Sequence, residues 1–149
     1  MTTTTAPQLA PKLAEFLARK SHKLLIGADW KDAASGRTFQ TTNPANGELL
    51  GVVAEADKAD VDLAVQAARA AFSGPWSKVS PSERGRLLNR LADLLERDAV
   101  ELAQLESLDN GKIIGEALKG DLPLCVDLLR YFAGWTTKIA GETTPVSVP

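Results

Sequence analysis

One cysteine and one histidine in 149 residues leave almost nothing from which disulfide or metal chemistry can be built. Cys125, standing alone, excludes an internal disulfide and a cysteine-rich metal centre. His22, equally alone, excludes the paired histidines of a helical zinc site. A surplus of one charge is missing too. The 17 basic and 19 acidic residues are interleaved and sum to a formal −2, so no basic field exists to hold a nucleic-acid backbone. No apolar run approaches the roughly 20 residues that cross a bilayer. Neither nucleic acid nor a membrane is therefore an expected partner.

The opening stretch, MTTTTAPQLAPKLAEFLARKSHK, lacks the unbroken apolar centre of a secretory signal. Leu13, Phe16 and Leu17 form a short apolar stripe with Lys12, Arg19 and Lys20 nearby, a pattern shared with mitochondrial presequences. Glu15 runs against the acid-poor character of such leaders. The expected location is the cytoplasm, with the mitochondrion as the alternative.

What is present is 44% hydrophobic residues, enough for the core of one globular domain. Residues 1–23 read as a flexible N-terminal arm. LLIGADW, RTFQTTNP and ELLGVVAEA are β-rich, the second stopped by Asn43-Pro44 and the third preceded by the turn ANGE. They predict a hairpin and one further strand. Helical spacing follows. Val61, Ala64, Val65, Ala68, Ala71 and Phe72 fall on one helix face, and SGPW stops that helix. SPSE predicts the next start, with Ser80 as N-cap, Pro81 at the first helical position and Glu83 closing a capping box. Leu87, Leu88, Leu91, Leu94 and Leu95 supply its stripe. A third helix starts at Asp98 and stops at Asn110-Gly111. The last is expected from about Asp121 to Ala140, with two apolar stripes: Leu122, Cys125, Val126, Leu129 and Ala133, then Leu124, Leu128, Tyr131 and Trp135. A helix apolar on two sides needs two covers.

SLDNGK, residues 107–112, invites several readings. A phosphate-binding loop needs glycine at position 106 and Ser or Thr at 113, where Glu106 and Ile113 stand. Gly111, Gly115 and Gly120 are misspaced for a dinucleotide fingerprint, and no strand precedes them. A helix ending remains, with Gly111 in the left-handed conformation and Lys112 facing the negative end of the dipole. Cys125, inside an apolar stripe, is expected as a buried structural thiol, and His22 as a solvated side chain. Trp30, Trp76 and Trp135 are expected as core anchors. The carboxylates sit where caps and solvated faces want acids, and none pairs with another for acid–base work.

Four blocks in order carry a resemblance: NPANGELLGVVAEADKADVDLAVQAARAAF, PWSKVSPSERGRLLNRLADLLERD, LESLDNGK and LRYFAGW. Together they resemble the N-terminal part of the aldehyde dehydrogenase superfamily, closest to its NAD-dependent branch, over roughly residues 24–149. The resemblance implies an α/β fold of short strands followed by amphipathic helices: residues 24–140 as an incomplete cofactor-binding domain, and 141–149 as the start of an oligomerisation strand. It implies a parent oxidoreductase that turns an aldehyde into a carboxylic acid with NAD or NADP. There a cysteine thiolate attacks the carbonyl, hydride passes to the nicotinamide, and water activated by a glutamate releases the thioester.

The family's nucleophile, general base and cofactor-gripping segments are expected beyond the equivalent of Pro149. Cys125 and Glu106 match neither catalytic residue, so the 149-residue chain is expected to be inactive and to need the missing catalytic domains. The alternative is a non-catalytic helical interaction module derived from that scaffold. By resemblance, a monovalent cation is expected at the backbone carbonyls of Thr41 and Thr42 and the carboxylate of Asp109. Gly120 and Leu124 match positions at the mouth of the substrate tunnel, though packing against other domains also accounts for Leu124. A homo-oligomer is expected of the complete enzyme.

Overall fold

In a computed structural model, residues 8–19 and 21–142 are described. Along them run α1 (Pro11–Leu17), β1 (Leu24–Ile26), β2 (Asp29–Lys31), β3 (Thr38–Thr42) and β4 (Leu49–Ala54). The helices α2 (Lys58–Ser73), α3 (Pro81–Arg97), α4 (Ala99–Asn110), the short α5 (Ile114–Glu116) and α6 (Leu122–Trp135) follow. A 3₁₀ turn, Pro75–Lys78, separates α2 from α3, and a π turn, Ala117–Asp121, joins α5 to α6. After α1, strands come before the longer helices, the order the resemblance implies.

The strands make two hairpins rather than a hairpin and a single strand. LLIGADW folds back on itself at Gly27, so that Leu24 pairs with Lys31 and Ile26 with Asp29. Gly27 has φ +65°, a conformation that a tight hairpin turn demands and glycine supplies without strain. β3 and β4 pair antiparallel with Thr41 opposite Gly51, and a bulge falls between Thr41 and Thr42. Asn43 builds the connecting turn: its side-chain carbonyl accepts from the Ala45 N–H at 2.9 Å, and its backbone oxygen accepts from the Gly47 N–H at 2.7 Å.

The described part of the expected arm is tied down. Leu13 in α1 is buried, and α1 lies against α4. The Ala10 N–H donates to Gln104 Oε1 at 2.8 Å, and Lys12 pairs with Asp98 at 2.6 Å. His22 is not solvated. Its backbone bonds β4 through Val52 and Ala54, and its ring stacks on Phe16 at 4.3 Å. The apolar spacing of Leu13, Phe16 and Leu17 was the signal for this docking. Residues 143–149, and so most of the expected oligomerisation strand, lie outside the described residues.

Helix boundaries follow local chemistry. Asp57 and Asp60 form a reciprocal capping box on α2, and the buried Asp60 carboxylate also accepts from the Ala34 N–H at 3.0 Å. Ser80 Oγ accepts from the Glu83 N–H at 3.2 Å, as expected for α3. The return bond of that capping box is missing, because the Glu83 carboxylate pairs with Arg86. α6 stops five residues before Ala140. After Trp135 the Thr136 hydroxyl donates back to the Ala133 oxygen at 2.9 Å, competing with helix continuation. At its start, Pro123 has no N–H and its ring excludes the carbonyl four residues earlier. The π turn immediately before it relieves that conflict.

The core is made of small side chains. Ala92, Ala103 and Ala117 are fully buried, with Leu13, Val126 and Ala133 close behind, and no large side chain is completely enclosed among the described residues. α3 and α6 approach closely at Gly85, where an added Cβ would lie 2.9 Å from the Ala133 oxygen. Arg130 of α6 clamps the same pair, bonding Glu96 and Asp93 of α3 at 2.5 and 3.1 Å. The expected tryptophan anchors are not core: Trp30, Trp76 and Trp135 are 44–65% exposed. Periodicity tells which face of an element is apolar. It does not tell whether anything covers that face.

Candidate functional site

The helix ending read from SLDNGK forms as expected. α4 closes at Asn110, and Gly111 turns left-handed at φ +80° with its N–H bonded to the Ser107 oxygen at 3.1 Å. The Lys112 N–H donates to Asn110 Oδ1 at 2.8 Å, and Ser107 Oγ donates to the Lys112 oxygen at 2.7 Å. These backbone and side-chain groups of the turn are thus used locally.

This turn meets the end of β3. Thr41 Oγ1 donates to Asp109 Oδ1 at 2.9 Å, across 68 residues of sequence. A side chain at 111 would press on Pro44, since an added Cβ there lies 3.0 Å from Pro44 Cγ. Of the three candidate cation-binding residues, Thr41 and Asp109 are therefore in contact, though through the Thr41 hydroxyl and not the backbone carbonyl expected as the ligand. Thr42 follows across the bulge and is exposed. The expected carboxylate and strand-end carbonyls would make an all-oxygen set, the kind a hard cation of low charge accepts. Among the described residues no group of three or more His, Cys, Asp or Glu side chains is placed to hold a metal ion.

On the other side of the turn stands an ion cluster that spacing does not reveal. Lys112 Nζ pairs closely with Asp121 and lies 3.6 Å from Glu106. The hydrogen bond to Asp121 is the main cause that holds the Lys112 ammonium above its ordinary range, with the nearby charge of Glu106 adding to it. Asp121 lies nine residues along, past a helix break, so no helical template pairs it with Lys112. Only the fold brings them together.

Between the hairpin and the helices a cavity of about 480 Å³ opens beside Thr41 and Asp109, lined by Leu50, Val53, Leu102, Leu105, Leu122 and Cys125 among others. Cys125 is exposed there, not buried as its stripe predicted. The stripe is covered at Leu122, Val126 and Ala133 only. Gly120 sits in the π turn with open space about it, and Leu124, one turn on, is 66% exposed. With Leu128, Tyr131 and Trp135 it forms the exposed stripe of α6.

Comparison with known proteins covers nearly all of this architecture. A sequence model described as the aldehyde dehydrogenase family matches residues 30–149. The mitochondrial aldehyde dehydrogenase of Homo sapiens is 52% identical over 127 residues, which is 84% of this chain and 25% of that protein. Aldehyde dehydrogenase 1A1 of Gallus gallus is 49% identical over 138 residues, 91% of this chain and 27% of its own length. An aldehyde dehydrogenase from Bacillus cereus, solved as an NAD+ complex, superposes with a TM-score of 0.89 at 49% identity, over 94% of this chain and 28% of that one. The chain thus spans about a quarter of the length of these relatives.

Proposed function

The chain belongs to the aldehyde dehydrogenase family, an oxidoreductase family, and from that premise we propose that it forms the N-terminal segment of the cofactor domain in an enzyme oxidising aldehydes to carboxylic acids with NAD or NADP. The observation that carries this reading is the joint agreement of sequence and fold with an NAD+-complexed relative over 94% of the chain. Residues 24–140 act as scaffold. They do not fit a dinucleotide grip: the turn after α4 leads into a helix of three residues, and its glycines lack the phosphate-cradling spacing. No step of the reaction is assigned to them.

The carbonyls of Thr41 and Thr42 and the Asp109 carboxylate hold a monovalent cation in the complete enzyme, which sets the hairpin against α4. The Thr41–Asp109 contact supports this placement. Gly120 and Leu124 line the mouth of the path by which aldehyde enters, consistent with their exposure at the start of α6. The remaining catalytic domains cover the exposed face of α6, the complete enzyme is a homo-oligomer, and its place is the cytoplasm, the mitochondrion being the alternative.

On its own the 149-residue chain turns over no aldehyde. Purified chain, mixed with an aliphatic aldehyde and NAD or NADP, gives no nicotinamide reduction above buffer; robust turnover overturns the proposal. A second reading, a stand-alone interaction module, draws on the exposed stripe Leu124, Leu128, Tyr131 and Trp135. It requires a monodisperse, cooperatively folded chain, alone or with one partner.

A further inference from the structure

We infer that Lys112 is a positioning residue for Asp109, acting through the turn between them, and that the Glu106–Lys112–Asp121 cluster fixes the carboxylate that faces β3. The inference deepens the cation reading of that carboxylate and rests on it for its functional meaning, though its geometry stands alone.

Asp109 lies on the last turn of α4, where a helix ordinarily frays because its final carbonyls lack partners. Here the segment is held from three directions. Toward the hairpin, Asp109 accepts from Thr41 and Gly111 abuts Pro44. Within the turn, Ser107 and Asn110 bond the carbonyl and the N–H of Lys112, on the peptides either side of its Cα. Toward α6, the Lys112 ammonium joins Glu106, one turn before the helix end, to Asp121, the last residue of the π turn. Among the described residues Lys112 is the sole cation in that cluster, and all three side chains are only about one-third exposed, so screening by solvent is incomplete.

Removing the ammonium leaves Glu106 and Asp121 without their shared counter-charge. The Lys112 backbone then loses its tether to α6, and the last turn of α4 is free to fray. Because Asp109 is part of that turn, its bond to Thr41 loosens with it. A monovalent cation at Asp109 would feel the same loss as a less well organised ligand set, since preorganisation sets affinity as much as ligand identity does.

The test is hydrogen exchange of the whole 149-residue chain as wild type, Lys112→Met and Lys112→Arg, in potassium, sodium and choline chloride of equal ionic strength. Circular dichroism checks that helicity is equal. In choline chloride, Lys112→Met is expected to speed exchange about fivefold in residues 107–112 and 38–42, a size typical of a small ion network. Residues 58–73 stay unchanged, and Lys112→Arg recovers most of the protection. Wild-type exchange at 38–42 in Lys112→Met overturns the inference. So does uniform acceleration that includes 58–73, which marks global destabilisation, or equal loss in both variants, which marks packing rather than charge. The potassium and sodium arms test the cation reading separately. If wild type gains no protection from either ion, these residues do not hold the cation without the rest of the enzyme, while the choline arm still decides the role of Lys112.

Discussion

Gly85 shows how single positions set the limits of this molecule. It lies where α3 crosses α6, and a Cβ there would fall 2.9 Å from both the Ala133 oxygen and the Thr136 hydroxyl. Neither neighbour is the free end of a long side chain, so the helices themselves must separate. Gly85→Ala is expected to lower the unfolding free energy by about 1–3 kcal/mol despite alanine's better helix propensity. A urea titration with unchanged m-value checks it; a stabilised variant would refute the close crossing. A second prediction concerns acid. Arg97, and then Lys12, hold the Asp98 carboxyl well below the usual carboxylate range. A depressed value means the contribution is complete above about pH 4 and drains away as pH falls through the folded value. Wild type should therefore lose more stability between about pH 6 and pH 3 than Asp98→Asn, read from urea midpoints. Residue roles of this kind were unevenly legible. Ser80 and Gly111 announced themselves, because caps are local. The partners of Asp60, Lys112 and Asp109 lie 26, 9 and 68 residues away, and local pattern holds no record of them.

The π turn is the element whose geometry the sequence concealed. Ala117 and Leu122, its flanks, are both buried. In a regular α-helix five residues would place them roughly 140° apart, on different faces. The wider turn brings them toward one face, so that α5 and α6 present a continuous buried line to α3 and α4. Periodicity of 3.6 is blind to this: the start expected at about Asp121 lies one residue from that of α6, but the π turn leading into it left no signal. A π turn amounts to one residue inserted into an α-helix, and Gly120 is exposed with open space about it. Deleting Gly120 is therefore expected to leave a regular helix with both buried flanks still aligned, and to shift the thermal midpoint by less than about 5 °C. Deleting Asp127, exposed but within regular helix, turns all that follows by about 100° and carries Ala133 out of the contact with α3. That variant should lose its cooperative transition. Thermal melts of the two deletions decide the matter: equal damage would mean the π turn is not a removable insertion. The hairpin at Gly27 eluded pattern reading for a related reason. Strands of three residues are too short for alternation to register, so the one glycine between them is the whole signal.

Area tells the story of the whole molecule. A folded monomer of 15.9 kDa is expected to expose about 7,400 Å², whereas this chain exposes 11372 Å². Among the described residues, six of the ten buried apolar side chains are alanines. Phe72, Tyr131, Phe132 and Ile139 are among many large apolar side chains left in water. Each uncovered leucine or aromatic forgoes roughly 1.5–3 kcal/mol that burial would supply, and alanine cores supply little in return. Helical periodicity had marked Phe72 and Tyr131 as apolar-face residues, though not Phe132 or Ile139. What it lacked was the identity of their cover, and the relatives are about four times as long as this chain. Uncovered apolar faces associate. The chain is therefore expected to sediment with a concentration-dependent increase in mass in the micromolar-to-millimolar range and to enhance the fluorescence of a hydrophobic dye. Leu128→Lys with Tyr131→Lys should reduce both effects. Their side chains are more than half exposed, so folded-state packing is barely touched and the helicity of α6 is retained. If wild type sediments as a single monomer without binding dye, the face is covered by the chain itself and the scaffold reading loses its physical basis. If the paired lysines leave association unchanged, the contact lies elsewhere, with the α2 face at Val61, Val65 and Phe72 next in line because it is as fully exposed.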